Sequence, residues 1–190
     1  MASYTIAVMG TFDTKAEEYQ YIIDKIESLG AKTMTIDVST RDTATLRGKY
    51  GCHEIADWAG MPYEALISGT RAQSMAIIMK GATRLVQSLV SQQQIQGIIS
   101  IGGSGGTTIA THVMRTLPVG FPKVIATTQA CSDKMPGFIG SKDLIVINSI
   151  VDVSGTNSII SRIYDQAAGA VVGAAIAYTP HKQTKPRIAI

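Results

Sequence analysis

The sequence predicts a doubly wound α/β fold, a mostly parallel sheet of five or more strands with helices on both faces. Three observations predict it. Short, wholly apolar runs alternate with longer segments whose apolar residues recur at helical spacing. The apolar runs end in glycine or small polar residues. A length of 190 residues with 45% hydrophobic content is enough for one good core.

The elements follow in order. "YTIAVMG" (4–10) is a first strand, and "TKAEEYQYIIDKIESLG" (14–30) a helix with Ala16, Tyr19, Ile22, Ile23, Ile26 and Leu29 on one face and Gly30 as its C-cap. "KTMTIDV" (32–38) is the second strand. The polar stretch 39–69, with "HEIADWAGMPYEAL", fits no element and is longer than a plain connector, which suggests a functional or interface excursion. A long amphipathic helix covers 71–94, its core stripe including Met75, Ile78, Met79, Ala82, Leu85, Val86, Leu89 and Val90. "GIISIGG" (97–103), "PKVIATT" (122–128) and "LIVINSI" (144–150) are strands three to five, with a helix over 107–117 between the first two and a last helix over 157–178. Within that last helix "AAGAVVGAAIAY" (167–178) is nearly uncharged, but it is shorter than the roughly 18 apolar residues a bilayer span needs. It reads as a buried helix packed closely against the sheet or a second domain. After Pro180 comes "HKQTKP" and then "RIAI", similar in character to the opening "TIAV"; this predicts one lobe over 1–180, with 181–190 a linker and the start of a second lobe.

Composition excludes several partners. Charged residues are 16% of the chain, the net charge is +3, and the lysines and arginines are scattered, so no basic footprint for nucleic acid or an anionic membrane forms. The amino terminus, "MASYTIAVMG", has no basic region followed by a long apolar stretch, so a cytoplasmic setting is expected. Cys52 and Cys131 lack CxxC spacing, and His53, His112 and His181 form no metal-binding cluster.

In a doubly wound sheet ligands sit outside the carboxyl ends of the strands, and the unusual polar clusters fall at those ends. "GGSGGTT" after strand three places Gly102, Gly103, Ser104, Gly105, Gly106 and Thr107 before a helix, where backbone amides and the helix dipole favour an anion such as phosphate. The same residues fit a tight strand-to-helix turn with Thr107 as N-cap. No GxxxxGK[ST] pattern is present. "GTFDTK" after strand one carries Thr11, Asp13, Thr14 and Lys15. Thr14 and Glu17 fit a capping box, and Asp13 either complements the dipole or helps hold a metal or a ribose. Lys15, a cation in a first helical turn, opposes the dipole and makes sense beside an anionic ligand. Asp37 closes strand two where a ribose-binding acid is common, or is a solvated strand end. In the Gly- and Pro-punctuated loop after strand four, Thr128, Ser132, Asp133 and Lys134 either fold over a ligand or form a plain surface loop. Asp152, Ser154 and Asn157 read partly as caps of the last helix.

Jointly, "GTFDTKAEE", "GGSGGT", the "TT…D…PGFIGSKD" loop and "SIVDVSGTNSIISRIYDQAAGAVVGA" resemble the N-terminal part of the tobamovirus-resistance-like ATP-binding domain family, a largely uncharacterised group. The resemblance implies a Rossmann-like lobe of a longer, two-lobed protein, and the leading expectation is that this protein is oligomeric. It also implies ATP or a related nucleotide, with or without Mg2+, on Gly102 to Thr107, joined by Thr11, Asp13 and Lys15. Gln129 and Cys131 depart from the small residues usual after the fourth strand, so base contacts carry over poorly.

Two other readings compete with nucleotide binding. One is an enzyme acting on a small phosphorylated or carboxylated metabolite. Gly102, Ser104 and Gly106 match G-x-S-x-G, but a partnering histidine is not evident. The other is a protein-interaction module that a nucleotide merely rigidifies.

Overall fold

A computed structural model describes residues 4–150 and 157–178. Its elements are β1 (Thr5–Gly10), α1 (Phe12–Ser28), β2 (Lys32–Asp37), α2 (Cys52–Ala59), α3 (Tyr63–Ser68), α4 (Arg71–Ser91), β3 (Gly97–Gly102), α5 (Ser104–Met114), β4 (Lys123–Thr127), α6 (Met135–Ile139), β5 (Ile145–Asn148) and α7 (Ser158–Ala177). All strand pairs are parallel, in the order β2-β1-β3-β4-β5. The doubly wound α/β prediction is therefore met. The chain reverses its direction of travel across the sheet between β1 and β3, so their carboxyl ends mark the topological switch point.

Side-chain alternation divides the core into two layers. Ile6, Val8, Ile99, Ile101, Val124 and Ala126 pack under α1 and α7. Ala7, Met9, Ile36, Ile98 and Ile125 pack under α2, α4 and α5. Buried Ala167, Ala168, Val171 and Ala175 bring α7 close to the sheet, whereas Gly169 and Gly173 face outward with nothing within 4 Å. The alanines of α7 thus serve the expected close sheet contact, and the two glycines do not. Asn157 caps α7, accepting from the Ile159 and Ile160 amides at 3.0 and 2.9 Å. Asp152, Ser154 and residues 179–190 lie outside the described residues.

At the switch point β1 and β3 pair only from Ile6↔Gly97 to Val8↔Ile99 and then part. Backbone groups in the gap need partners, because buried polar groups without one are costly. Tyr19 supplies them. Its hydroxyl donates to Ile101 O at 2.6 Å, accepts from Ile101 N at 3.1 Å and lies 3.2 Å from Met9 O. Burial pushes its pKa well above the ordinary tyrosine value. The ring leaves no room at Gly10, where a Cβ would stand 1.7 Å from the Tyr19 hydroxyl.

Several element bounds differ from the sequence reading. α1 starts at Phe12 rather than Thr14, because its first amides are capped from β2 and the residues after it. Asp37 Oδ1 accepts from Phe12 N at 3.1 Å and from Ser39 N at 2.9 Å; the Ser39 hydroxyl donates to the same oxygen and accepts from Asp13 N at 3.2 Å. Thr14 is consequently not an N-cap, and its hydroxyl turns back onto Thr11 O at 3.3 Å. α5 begins at Ser104, with Gly103 in the capping position and Thr107 inside the helix, donating to Gly103 O at 2.8 Å. The unassigned stretch 39–69 contains α2 and α3, and the loop after β4 contains the short α6.

The amino-terminal edge of the sheet holds a buried cation. Lys123 Nζ donates to Pro118 O at 2.8 Å, Phe121 O at 2.7 Å and Asp143 Oδ1 at 3.0 Å, so its three protons all have partners. Burial pushes the Lys123 pKa down.

Two stability outcomes follow from these contacts. Tyr19→Phe leaves the Ile101 amide and carbonyl without their partner, and urea unfolding is expected to show a loss of about 1–3 kcal/mol. Burial raises the Asp37 pKa, partly offset by the hydrogen bonds from Ser39 and Phe12. A raised folded-state pKa means that Asp37 contributes stability below its unfolded pKa and loses it as pH rises through the folded one. Relative to Asp37→Asn, the wild type is therefore expected to lose stability as pH rises from the ordinary carboxylate range through that higher value, in urea unfolding across a pH series.

Candidate functional site

The carboxyl edge of the sheet opens into a cleft of about 700 Å³. Three helices begin there: α1, α4 and α5. The positive end of each dipole points toward the same space, but the three termini are not equivalent.

The start of α1 is capped by Asp37 and Ser39, as described above. The start of α4 is closed by its own capping box: Thr70 Oγ1 accepts from Gln73 N at 3.4 Å, and Gln73 Oε1 accepts from Thr70 N at 2.8 Å. The start of α5 has no side-chain cap, Gly103 being the capping residue. The amides of Ser104, Gly105 and Gly106 occupy its first turn, where no intrahelical acceptor exists. Of these three, α5 is the terminus whose first-turn amides have no side-chain acceptor.

The glycines of this turn are not demanded by packing. A Cβ built on Gly102, Gly105 or Gly106 would meet nothing closer than 3.5 Å. Elsewhere glycine is obligatory: a Cβ on Gly10 meets Tyr19, and one on Gly81 would stand 2.0 Å from Ile55 O. Gly102 is required by its own backbone (φ +159°), whereas Gly105 and Gly106 have no such reason and leave the backbone open to a ligand's approach.

The structure gathers Thr11, Asp13, Lys15 and Gly102 through Gly106 around the cleft. It does not bring the other candidates into the lining. Asp37 is buried, with its Oδ1 holding the start of α1, so its place at a strand end reflects capping rather than an acid turned toward the cleft. Thr107 is buried, its hydroxyl 2.6 Å from Thr127 Oγ1. Thr128, Ser132 and Asp133 belong to the β4–α6 loop and are not in the lining, although Thr128 N donates to Gly102 O at 3.4 Å beside it. Lys15 also receives a local account. Its backbone departs from helical angles (φ −138°, ψ 38°), and its Nζ lies 3.4 Å from Glu18 Oε1, whose side chain is 3% exposed. It lines the cleft as a paired cation.

Two cations were missed by sequence reasoning. Arg41, just beyond β2, and Arg71, the first residue of α4, both line the cleft, and neither has a hydrogen-bond or ion-pair partner among the described residues. Arg71 Nη2 lies 3.8 Å from where a Cβ on Gly105 would stand, so the guanidinium covers the open turn of α5. The sequence signal was the Thr70-x-x-Gln73 capping box, which fixes Arg71 at a helix start. An apolar wall of Ile67, Met75 and Ile109 completes the lining.

No histidine is found in the lining among the described residues, so no Ser–His pair is formed there. No group of three or more His, Cys, Asp or Glu among the described residues forms a metal site. A larger groove, about 1210 Å³, lies at the opposite edge, but Lys123 there is committed to three internal acceptors. No helix among the described residues is long and apolar enough to cross a membrane.

Comparison with known proteins agrees with the family expected from the sequence. The chain is 43% identical over 185 residues to a UPF0261 protein of Clostridium tetani, covering 96% of this chain and 46% of that one. It is 38% identical over 184 residues to a UPF0261 protein of Brucella suis, covering 96% and 44% respectively. It is 30% identical to the ToMV susceptible protein tm-1(GCR26) of Solanum lycopersicum, covering 88% of this chain and 24% of that protein. The chain thus spans about half the length of the bacterial relatives. A Trichoderma reesei cutinase is similar at 12% identity and TM-score 0.49, covering 90% and 76%, too distant a likeness to carry chemistry. Residues 4–180 match the N-terminal domain of the uncharacterised protein family UPF0261, and the chain belongs to that family.

Proposed function

We propose that this domain binds ATP or a related nucleotide, with phosphate oxygens resting on the first-turn amides of α5, as part of a larger two-lobed and oligomeric protein. The uncapped start of α5 is the observation that carries the reading. Backbone amides at a helix start are suited to phosphate because they donate directly and act with the helix dipole. The glycines that packing does not require support it.

The rest of the cleft fits such a ligand. Its volume of about 700 Å³ lies in the range of small-molecule sites. Among the described residues, Arg41 and Arg71 in its lining outweigh the one carboxylate there, Asp13, with Lys15 paired to Glu18. Were Mg2+ to accompany the nucleotide, Asp13 is the carboxylate placed to meet it, with Thr11 and Ser104 as neighbouring oxygens. The metal would supply charge neutralisation between phosphate oxygens.

Gly105 provides the test because its missing side chain faces the cleft rather than the core. Gly105→Val is expected to weaken ATP binding by roughly tenfold or more in isothermal calorimetry, with unfolding free energy changed by no more than about 1 kcal/mol. Unchanged ATP affinity in a folded variant would reject the amide cradle.

A further inference from the structure

We propose that the cleft selects nucleotides by the length of their phosphate chain, the amides of α5 holding one phosphoryl group and the guanidinium groups of Arg71 and Arg41, which have no partner among the described residues, holding those beyond it. The inference rests on the nucleotide reading and adds to it the substrate class, a nucleoside with two or more phosphates, and the residues that distinguish it.

Arg71 is the central observation. It is the first residue of α4, where the positive dipole end disfavours a cation, and α4 has no acidic residue in its first turn to compensate. Its charge is not needed for capping, since Thr70 and Gln73 close that terminus between them. Its guanidinium has no partner among the described residues, yet lies 3.8 Å from the Cβ position of Gly105. An arginine in that place can take a ligand oxygen together with the α5 amides.

Arg41 reaches the same cleft from the β2 side. Lys15 is already paired with Glu18, so Arg41 and Arg71 are the cations left to meet further ligand charge. A single phosphate on the α5 turn would use the amides and at most one guanidinium. A chain of phosphates would use both, and arginine forks are well matched to phosphoryl oxygens. The apolar wall of Ile67, Met75 and Ile109 lines the same cleft and offers a face for the nucleoside end.

The test compares ATP, ADP and AMP by calorimetry on the whole chain and on Arg71→Gln, Arg71→Lys and Arg41→Gln. The wild type is expected to bind ATP roughly tenfold or more tighter than AMP. Arg71→Gln is expected to weaken ATP by about tenfold and AMP by clearly less, with Arg71→Lys between wild type and Arg71→Gln, and Arg41→Gln to weaken ATP while changing AMP by less than about twofold. Thermal melting without ligand should be unchanged in all three, because these side chains are exposed and make no described contact. Equal weakening of ATP and AMP, or no effect on either, would overturn the proposal. Equal wild-type affinity for ATP and AMP would overturn the length selection alone, whereas binding of neither would remove the nucleotide reading and this proposal with it.

Discussion

The site exists because two neighbouring parallel strands separate at the point where the chain changes direction, and one hydroxyl group makes that separation tolerable. β1 and β3 stop pairing after Val8 and Ile99, leaving buried backbone donors and acceptors facing a gap. Tyr19 fills it, bonding to both the amide and the carbonyl of Ile101. The residue that follows Ile101 opens the glycine turn. The mouth of the cleft is thereby fixed by the same contact that closes the core, and Gly10 is glycine because the tyrosine ring occupies its side-chain space.

Above this gap, internal capping decides which helix start is available. A helix start buried against protein needs acceptors for its first amides. α1 takes them from Asp37 and Ser39, and α4 from Thr70 and Gln73. α5 has glycine where a capping side chain would stand. Of three dipoles pointing into one cleft, two are met by capping side chains, and the third opens on a cleft lined by two arginines that have no partner among the described residues. The charge balance of the cleft thus follows from where the capping residues fall.

Glycine distribution separates packing from exposure. Gly10 and Gly81 touch neighbours so closely that any side chain would displace them, as expected where a ring or a helix backbone lies against the main chain. The glycines of the α5 turn meet no such neighbour. The two groups look alike in a sequence and differ in what surrounds them. At the opposite edge Lys123 shows the reverse arrangement, a cation wholly enclosed and bonded to two carbonyls and Asp143.

The sequence by itself determined the alternation of strands and helices, the parallel sheet and the position of the glycine turn, because each is written in local periodicity or local composition. Even within those limits, glycine's weak helix preference hid that Ser104, Gly105 and Gly106 are already helical. The two short helices in 39–69 were hidden by a polar, irregular stretch. Only the tertiary structure decided the order of strands, the capping of Phe12 by Asp37 from 25 residues away, the bond from Tyr19 to Ile101 across 82, and the arrival of Arg71 over Gly105. These depend on which distant segments the sheet brings side by side, and no local pattern encodes that, since side-chain partners are chosen by the packing of whole elements rather than by spacing along the chain.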